Sequence, residues 1–143
     1  MKGISLHEPY ASAVAWDLKR IETRGFQLHW RGDLAICAAV VTKFADRIWS
    51  PELGPYFRQA KITERKQLAF GCIVAVCRVS MCIPTVQLYG KIPPQEQAFG
   101  NYEPGRFGWI LADLKRLKTP VPLRGQQGIF NIPKEAIERM EFV

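Results

Sequence analysis

Within six residues the chain sets Lys19, Arg20 and Arg24 around a single carboxylate, Glu22. In an extended segment Arg20, Glu22 and Arg24 share one face while Ile21 and Thr23 share the other, so the carboxylate sits between two guanidinium groups. Two kinds of chemistry suit that pattern. A salt-bridged sheet edge needs no ligand. A recognition site would have Glu22 accept a hydrogen bond from a base amino group while Arg24 or Lys19 meets a phosphate. Lys19 stands where helix gives way to strand, so strand alternation does not fix its direction. His7 follows a short apolar run and suits either a base or sugar contact or a satisfied structural position. Tyr10 offers either a stacking face or a packing one. Further along, in Gly105-Arg106-Phe107-Gly108-Trp109, period-two alternation sends Phe107 and Trp109 to the core and leaves Arg106 as the ligand candidate.

The elements that must position these groups are short. Ile4–Leu6 reads as a first strand, and Pro9 suits the start of a helix running through Trp16, whose small residues permit close packing on a sheet. Strands follow over Arg20–Arg24 and Leu34–Ala38, with helical segments across Lys43–Trp49, Pro51–Ala60 and Thr63–Leu68. Phe70–Val79 is apolar on both faces until Arg78 and belongs at the centre of a sheet. From Pro84 to Gly105, four prolines and three glycines predict a long functional loop that resists helix and central strand. Arg106–Leu114, Val121–Leu123 and Gly128–Ile132 return to strand character, and Pro133–Met140 fits a terminal helix. Short strands with helices between them and no βαβ rhythm predict an α+β fold, a small, mostly antiparallel barrel with flanking helices. The length, 143 residues, predicts one domain spanning 1–143.

Charge narrows the partners. Twenty Lys and Arg against thirteen Asp and Glu give +7, with a pI near 9.5, a balance that favours polyanions. The clusters Lys115-Arg116 with Lys118, and Lys61 with Arg65 and Lys66, read as solvated faces. No stretch approaches the ~20 apolar residues of a membrane span, and Met1-Lys2-Gly3 leads straight into a strand-like run, so a soluble, cytoplasmic protein without membrane contact is expected. Cys72, Cys77 and Cys82 recur every five residues and alternate faces in a strand, and neither His7 nor His29 stands at a zinc spacing from them or from Cys37. Reduced, mostly buried thiols are expected, with no metal site and no cofactor.

Three blocks, Ile4-Ser5-Leu6-His7-Glu8-Pro9-Tyr10-Ala11, Leu18-Lys19-Arg20-Ile21-Glu22-Thr23-Arg24 and Trp30-Arg31-Gly32-Asp33-Leu34, resemble the opening of an ASCH domain, the PUA-like barrel named for activating signal cointegrator homology. Pro104-Gly105-Arg106-Phe107-Gly108-Trp109-Ile110-Leu111 is similar to a later strand of that family, so the resemblance brackets Ile4 to about Ile132. It implies a PUA-like β-barrel with the Pro9–Trp16 helix beside a cleft. It also implies that Lys19 of the Lys-x-x-Glu-Thr-Arg block reaches into that cleft and that Glu22 and Arg24 serve recognition. Tyr10 stands where the family commonly has tryptophan, and Arg31-Gly32 resembles an Arg-Gly pair in which the arginine faces a phosphate. Arg20 keeps the structural reading.

Two function classes follow. The first is a nucleic-acid-binding module holding single-stranded RNA or DNA, or a flipped or modified nucleoside, through His7, Tyr10, Lys19, Glu22, Arg24, Arg31 and Arg106. The second is a small metal-independent hydrolase, because some ASCH proteins resemble amidohydrolases acting on acylated cytidine and others are associated with RNA cleavage. In that case Lys19 and Glu22 are the catalytic candidates. In the amidohydrolase branch a threonine nucleophile stands three positions after the lysine. Here that position holds Glu22, a departure where the chemistry needs a hydroxyl, and Thr23 is one residue off. Binding therefore ranks ahead of catalysis, and a protein-interaction barrel ranks behind both.

Overall fold

The structure, a computed structural model, describes residues 1–143. Strands β1 (Lys2–Leu6), β2 (Ile21–Arg24), β3 (Gly32–Ala38), β4 (Cys72–Pro84), β5 (Phe107–Pro122) and β6 (Phe130–Asn131) form one sheet in the order β2-β5-β4-β3-β1-β6. All neighbours run antiparallel except β1 and β3, which are parallel. The apolar run that predicts a central strand is β4, and it does lie inside the sheet between β3 and β5. The fold is thus α+β with a mixed, mostly antiparallel sheet.

The strand pairing itself does not close a barrel, because β2 and β6 remain its two edges and β6 pairs only with Lys2 and Gly3. A side chain crosses from β2 to β1 instead: Arg24 Nη2 donates to the Ser5 carbonyl at 3.0 Å. Curl comes from the long strands. The β4–β5 ladder shifts register at three places, and such bulges bend a strand and increase its twist. One of them falls around Asp113, whose backbone is left-handed at φ 53°. The two strands expected at Arg106–Leu114 and Val121–Leu123 are therefore one bent strand, β5.

Helix α1 (Tyr10–Ala15) buries Ala11, Ser12, Ala13, Val14 and Ala15. Ala11, Val14 and Ala15 pack with Ile4, Leu34, Ile36, Cys77, Val79 and Trp109, while Ala35, Cys37, Ile73 and Val76 point into a second cluster with Val121, Phe130 and Ala136. Alternate residues of β3 thus enter different clusters, as strand geometry requires. Pro9 has no side chain able to cap α1, and Glu8 takes over that task. Its carboxylate is fully buried and accepts from Ser12 N, Ser12 Oγ and Ala69 N at 2.7–2.8 Å, tying the helix start to the segment before β4. Burial raises its pKa.

The connections depart from expectation in kind more than in place. Lys43–Trp49 contains a 3₁₀ turn at Ala45–Trp49, and Thr63–Leu68 another at Arg65–Gln67; only α2 (Gly54–Gln59) is α-helical there. The proline-rich stretch from Pro84 to Gly105 holds a 3₁₀ turn at Thr85–Gln87 and a helix, α3 (Pro94–Phe99). Pro93 and Pro94 occupy the N-cap and first turn, where a missing N–H costs nothing, so the composition that argued against helix marks its beginning. A last helix, α4 (Lys134–Glu138), follows Pro133. All four cysteines are free, and burial pushes the Cys37 and Cys77 thiols up to about 12. No three His, Cys, Asp or Glu side chains are grouped to hold a metal ion, and no helix is long and apolar enough to cross a membrane.

Candidate functional site

The floor of a cleft of about 560 Å³ is built by β1, α1, β2 and the segment after α3. Its lining includes His7, Tyr10, Lys19, Glu22, Arg24 and Arg106, six of the seven residues expected at a site, together with Thr23, Arg47, Phe99, Gly100 and Asn101. Four cations face one carboxylate there.

Glu22 is the centre of that charge. Lys19 Nζ lies 3.2 Å from its Oε1, and Arg24 Nε donates to its Oε2 at 2.8 Å. The Lys19 side chain is only 1% exposed and also donates to the Ile21 carbonyl, so the lysine does turn inward. Its place beside Glu22 corrects the expectation of a carboxylate between two guanidiniums. Arg20 lies before β2 and pairs instead with Asp17, at 2.8 Å in the exposed turn. That turn exists because Asp17 adopts φ 60°, reversing the chain between α1 and β2.

Thr23 was expected on the opposite face, yet Glu22, Thr23 and Arg24 all line the cleft. The cleft borders an edge strand, where residues from both faces can be reached. Thr23 Oγ1 accepts from Asn101 N at 2.9 Å, and its carbonyl accepts from Arg106 Nη2 at 3.2 Å. Gly100 allows this approach, because a Cβ there would stand 2.7 Å from the Tyr102 ring and 3.1 Å from Thr23 Cγ2.

Three guanidiniums are held by part of their donor set and leave the rest without a protein partner. Arg24 uses Nε and Nη2 on Glu22 and Ser5, leaving Nη1. Arg106 uses Nε and Nη2 on Asn101 O and Thr23 O, again leaving Nη1. Arg47 donates from Nη1 to the Tyr10 hydroxyl, with its guanidinium over the Phe44 ring at 4.4 Å and the Tyr10 ring at 5.7 Å. Sequence reasoning passed over Arg47 because it stands in a segment without a motif; only the packing of a 3₁₀ turn against α1 brings it in. The same contact makes Tyr10 more an anchor for Arg47 than an open stacking face, and its other neighbour is Phe99, edge-on at 6.5 Å.

His7 lies at the rim, 5.0 Å from the Phe44 ring. Partial burial first, and then the charges of Lys43, Arg24 and Arg47, lower its pKa below the usual 6.5, so the imidazole is neutral at pH 7. Arg31 does not line the cleft. Its Nη1 donates to the Leu28 and Trp30 carbonyls at 2.7 and 2.9 Å, closing its own turn before β3. Glu96 of α3 was also missed. It accepts from the backbone N–H groups of Arg20 and Ile21 at 2.9–3.2 Å, and burial raises its pKa. It fixes the start of β2 and thereby the placement of Lys19 and Glu22.

No family model and no curated protein matches the chain. Among solved structures, the crystal structure of ASCH from Zymomonas mobilis superposes with a TM-score of 0.62 at 14% identity, covering 98% of this chain and 95% of that one. Two point variants of the Zymomonas mobilis protein match with TM-scores of 0.59 and 0.56 at 16% identity; the first covers 98% of both chains. A likeness of this extent shows the fold: the chain has the architecture of the ASCH structures from Zymomonas mobilis.

Proposed function

We propose that the chain is a nucleic-acid-binding module whose cleft takes a single-stranded, flipped or modified nucleotide. The observation that carries this reading is the set of three part-anchored guanidiniums, on Arg24, Arg47 and Arg106, around a carboxylate within the same cleft. Guanidiniums fixed by their own scaffold lose little freedom on meeting a phosphate. Each oxygen of Glu22 keeps a lone pair beyond its cation, so the carboxylate can accept from a base amino group. His7, neutral at pH 7, can donate to or accept from a base or sugar. Lys19 acts on Glu22 and Arg31 on its own turn, so the phosphate contacts rest on Arg24, Arg47 and Arg106.

A second reading, a metal-independent hydrolase acting on acylated cytidine or RNA, draws on the Lys19–Glu22 contact at 3.2 Å. It ranks lower because both Glu22 oxygens are engaged by cations and Thr23 Oγ1 is bonded to the Asn101 N–H, with no side-chain base to activate it.

The test is fluorescence anisotropy with short single-stranded RNA and DNA, competed by nucleosides and modified nucleosides, beside hydrolysis assays on acylated cytidine and RNA. Saturable, salt-sensitive binding without turnover supports the module. Turnover abolished by Glu22→Gln would replace it with the hydrolase.

A further inference from the structure

A second cleft of about 550 Å³ adjoins the first, and Ser5, His7 and Arg24 line both. Its remaining wall is Ala39 and Val40 at the end of β3 and the segment Arg124-Gly125-Gln126-Gln127-Gly128 before β6. We propose that this is a second nucleotide subsite, so that the ligand is a strand of at least two nucleotides; the inference rests on the nucleotide reading of the first cleft.

Each cleft falls within the ~300–1,000 Å³ typical of small-molecule sites, enough for one nucleotide apiece. The ridge between them carries Arg24 and His7, which with Ser5 line both sides, and this is where a phosphodiester linking two nucleosides would lie. Arg24 keeps Nη1 for it. Ser5 Oγ, buried at the same junction, has no protein partner. Beyond the ridge the second cleft holds Arg24 and Arg124 and no carboxylate, so an anion meets no repulsion there. Apart from His7 on the ridge it contains no aromatic ring, so stacking is not its main means of selection. Gln126 and Gln127 supply donors and acceptors suited to base edges instead.

The glutamine segment is seated against the ridge by its glycine. A Cβ on Gly125 would fall 1.8 Å from Ser5 Oγ and 3.1 Å from Ser5 Cβ, so only glycine lets the segment approach this closely. Arg124 is exposed, and its replacement leaves the core untouched.

Binding of a nucleoside 5′-monophosphate and of the corresponding dinucleotide, in ribo and deoxyribo forms, is compared by calorimetry on the parent, Arg124→Gln and Gln127→Ala. The parent should bind the dinucleotide about tenfold or more tighter than the mononucleotide, because the second contact becomes intramolecular. Arg124→Gln should erase most of that gain and leave mononucleotide affinity unchanged, and Gln127→Ala should reduce the gain for some bases more than others. A parent that binds both ligands equally, or an Arg124→Gln variant that weakens both alike, overturns the second subsite while leaving the first cleft standing. A parent that binds neither overturns the nucleotide reading itself, and the second subsite with it.

Discussion

Lys19 and Arg24 each hold one oxygen of Glu22, but the two cations are not equally free. Lys19 is almost wholly buried, whereas the Arg24 side chain is 24% exposed and lines both clefts. Replacing Glu22 by Gln therefore leaves a buried ammonium with a weaker partner, and denaturant unfolding should register a loss of about 1.5–3 kcal/mol. In the same variant, base preference should shift by ~1–3 kcal/mol while overall affinity for a strand is kept, because one acceptor has become a donor and no phosphate contact is lost. An unchanged preference with lowered stability would make Glu22 purely a structural brace. His7 gives a second prediction. Its pKa is depressed in the free protein by partial burial and neighbouring cations, and a bound phosphate offsets those charges. The complex then holds the proton more tightly than the free protein, so affinity should rise as pH falls from the pKa of the complex towards the lower pKa of the free protein. Titration of binding against pH, with His7→Asn as the flat control, checks the sign.

At the scale of elements, the site depends on where β2 begins, and Glu96 of α3 sets that point. Glu96→Ala leaves the Arg20 and Ile21 N–H groups without their acceptor and should cost about 2–3 kcal/mol by denaturant unfolding, with weaker nucleotide binding as Lys19 and Glu22 lose their register. The pH sign is opposite to that of a salt-bridged acid. Burial raises the Glu96 pKa, so the folded chain binds the proton more tightly than the unfolded one. Stability contributed through this group rises as pH falls from neutral through its raised pKa. The gap between the parent and Glu96→Gln should shift in the parent's favour over that range. What could be read from the sequence here was the order of elements: the central strand and the Pro9-led helix stand where periodicity and proline placement put them, and the strand expected at Arg20–Arg24 begins one residue later, at Ile21. The α3 helix could not be read, because proline-rich composition argues equally for a loop and for a helix N-terminus. Glu96 lies 74 residues from Glu22, and no local pattern reports a carboxylate that caps a distant strand.

For the whole molecule, the surplus of positive charge matters through its placement around two adjoining clefts. The curled sheet creates that placement, since its unpaired edge β2 is brought beside β1 and bridged by Arg24. Motif reading reached Lys19, Glu22, Arg24 and Arg106 because their spacing is local or repeats a family pattern. Arg47 and the Arg124–Gln127 segment were beyond it, because they meet the site only through the packing of a 3₁₀ turn and the return of the chain to β6. Arg31 shows the converse: an arginine beside a glycine looks like a phosphate contact, yet nearby carbonyls claim it first. The central claim is that Arg24, Arg47 and Arg106 clamp phosphate. The affinity of the parent for a single-stranded oligonucleotide across a salt series, set beside an Arg47→Gln/Arg106→Gln double variant, tests it most directly. The log–log slope should include about 0.7 for each of these three contacts, and the double variant should be shallower by about 1.4. Absence of binding at low salt, or a slope untouched by losing both arginines, would contradict the clamp.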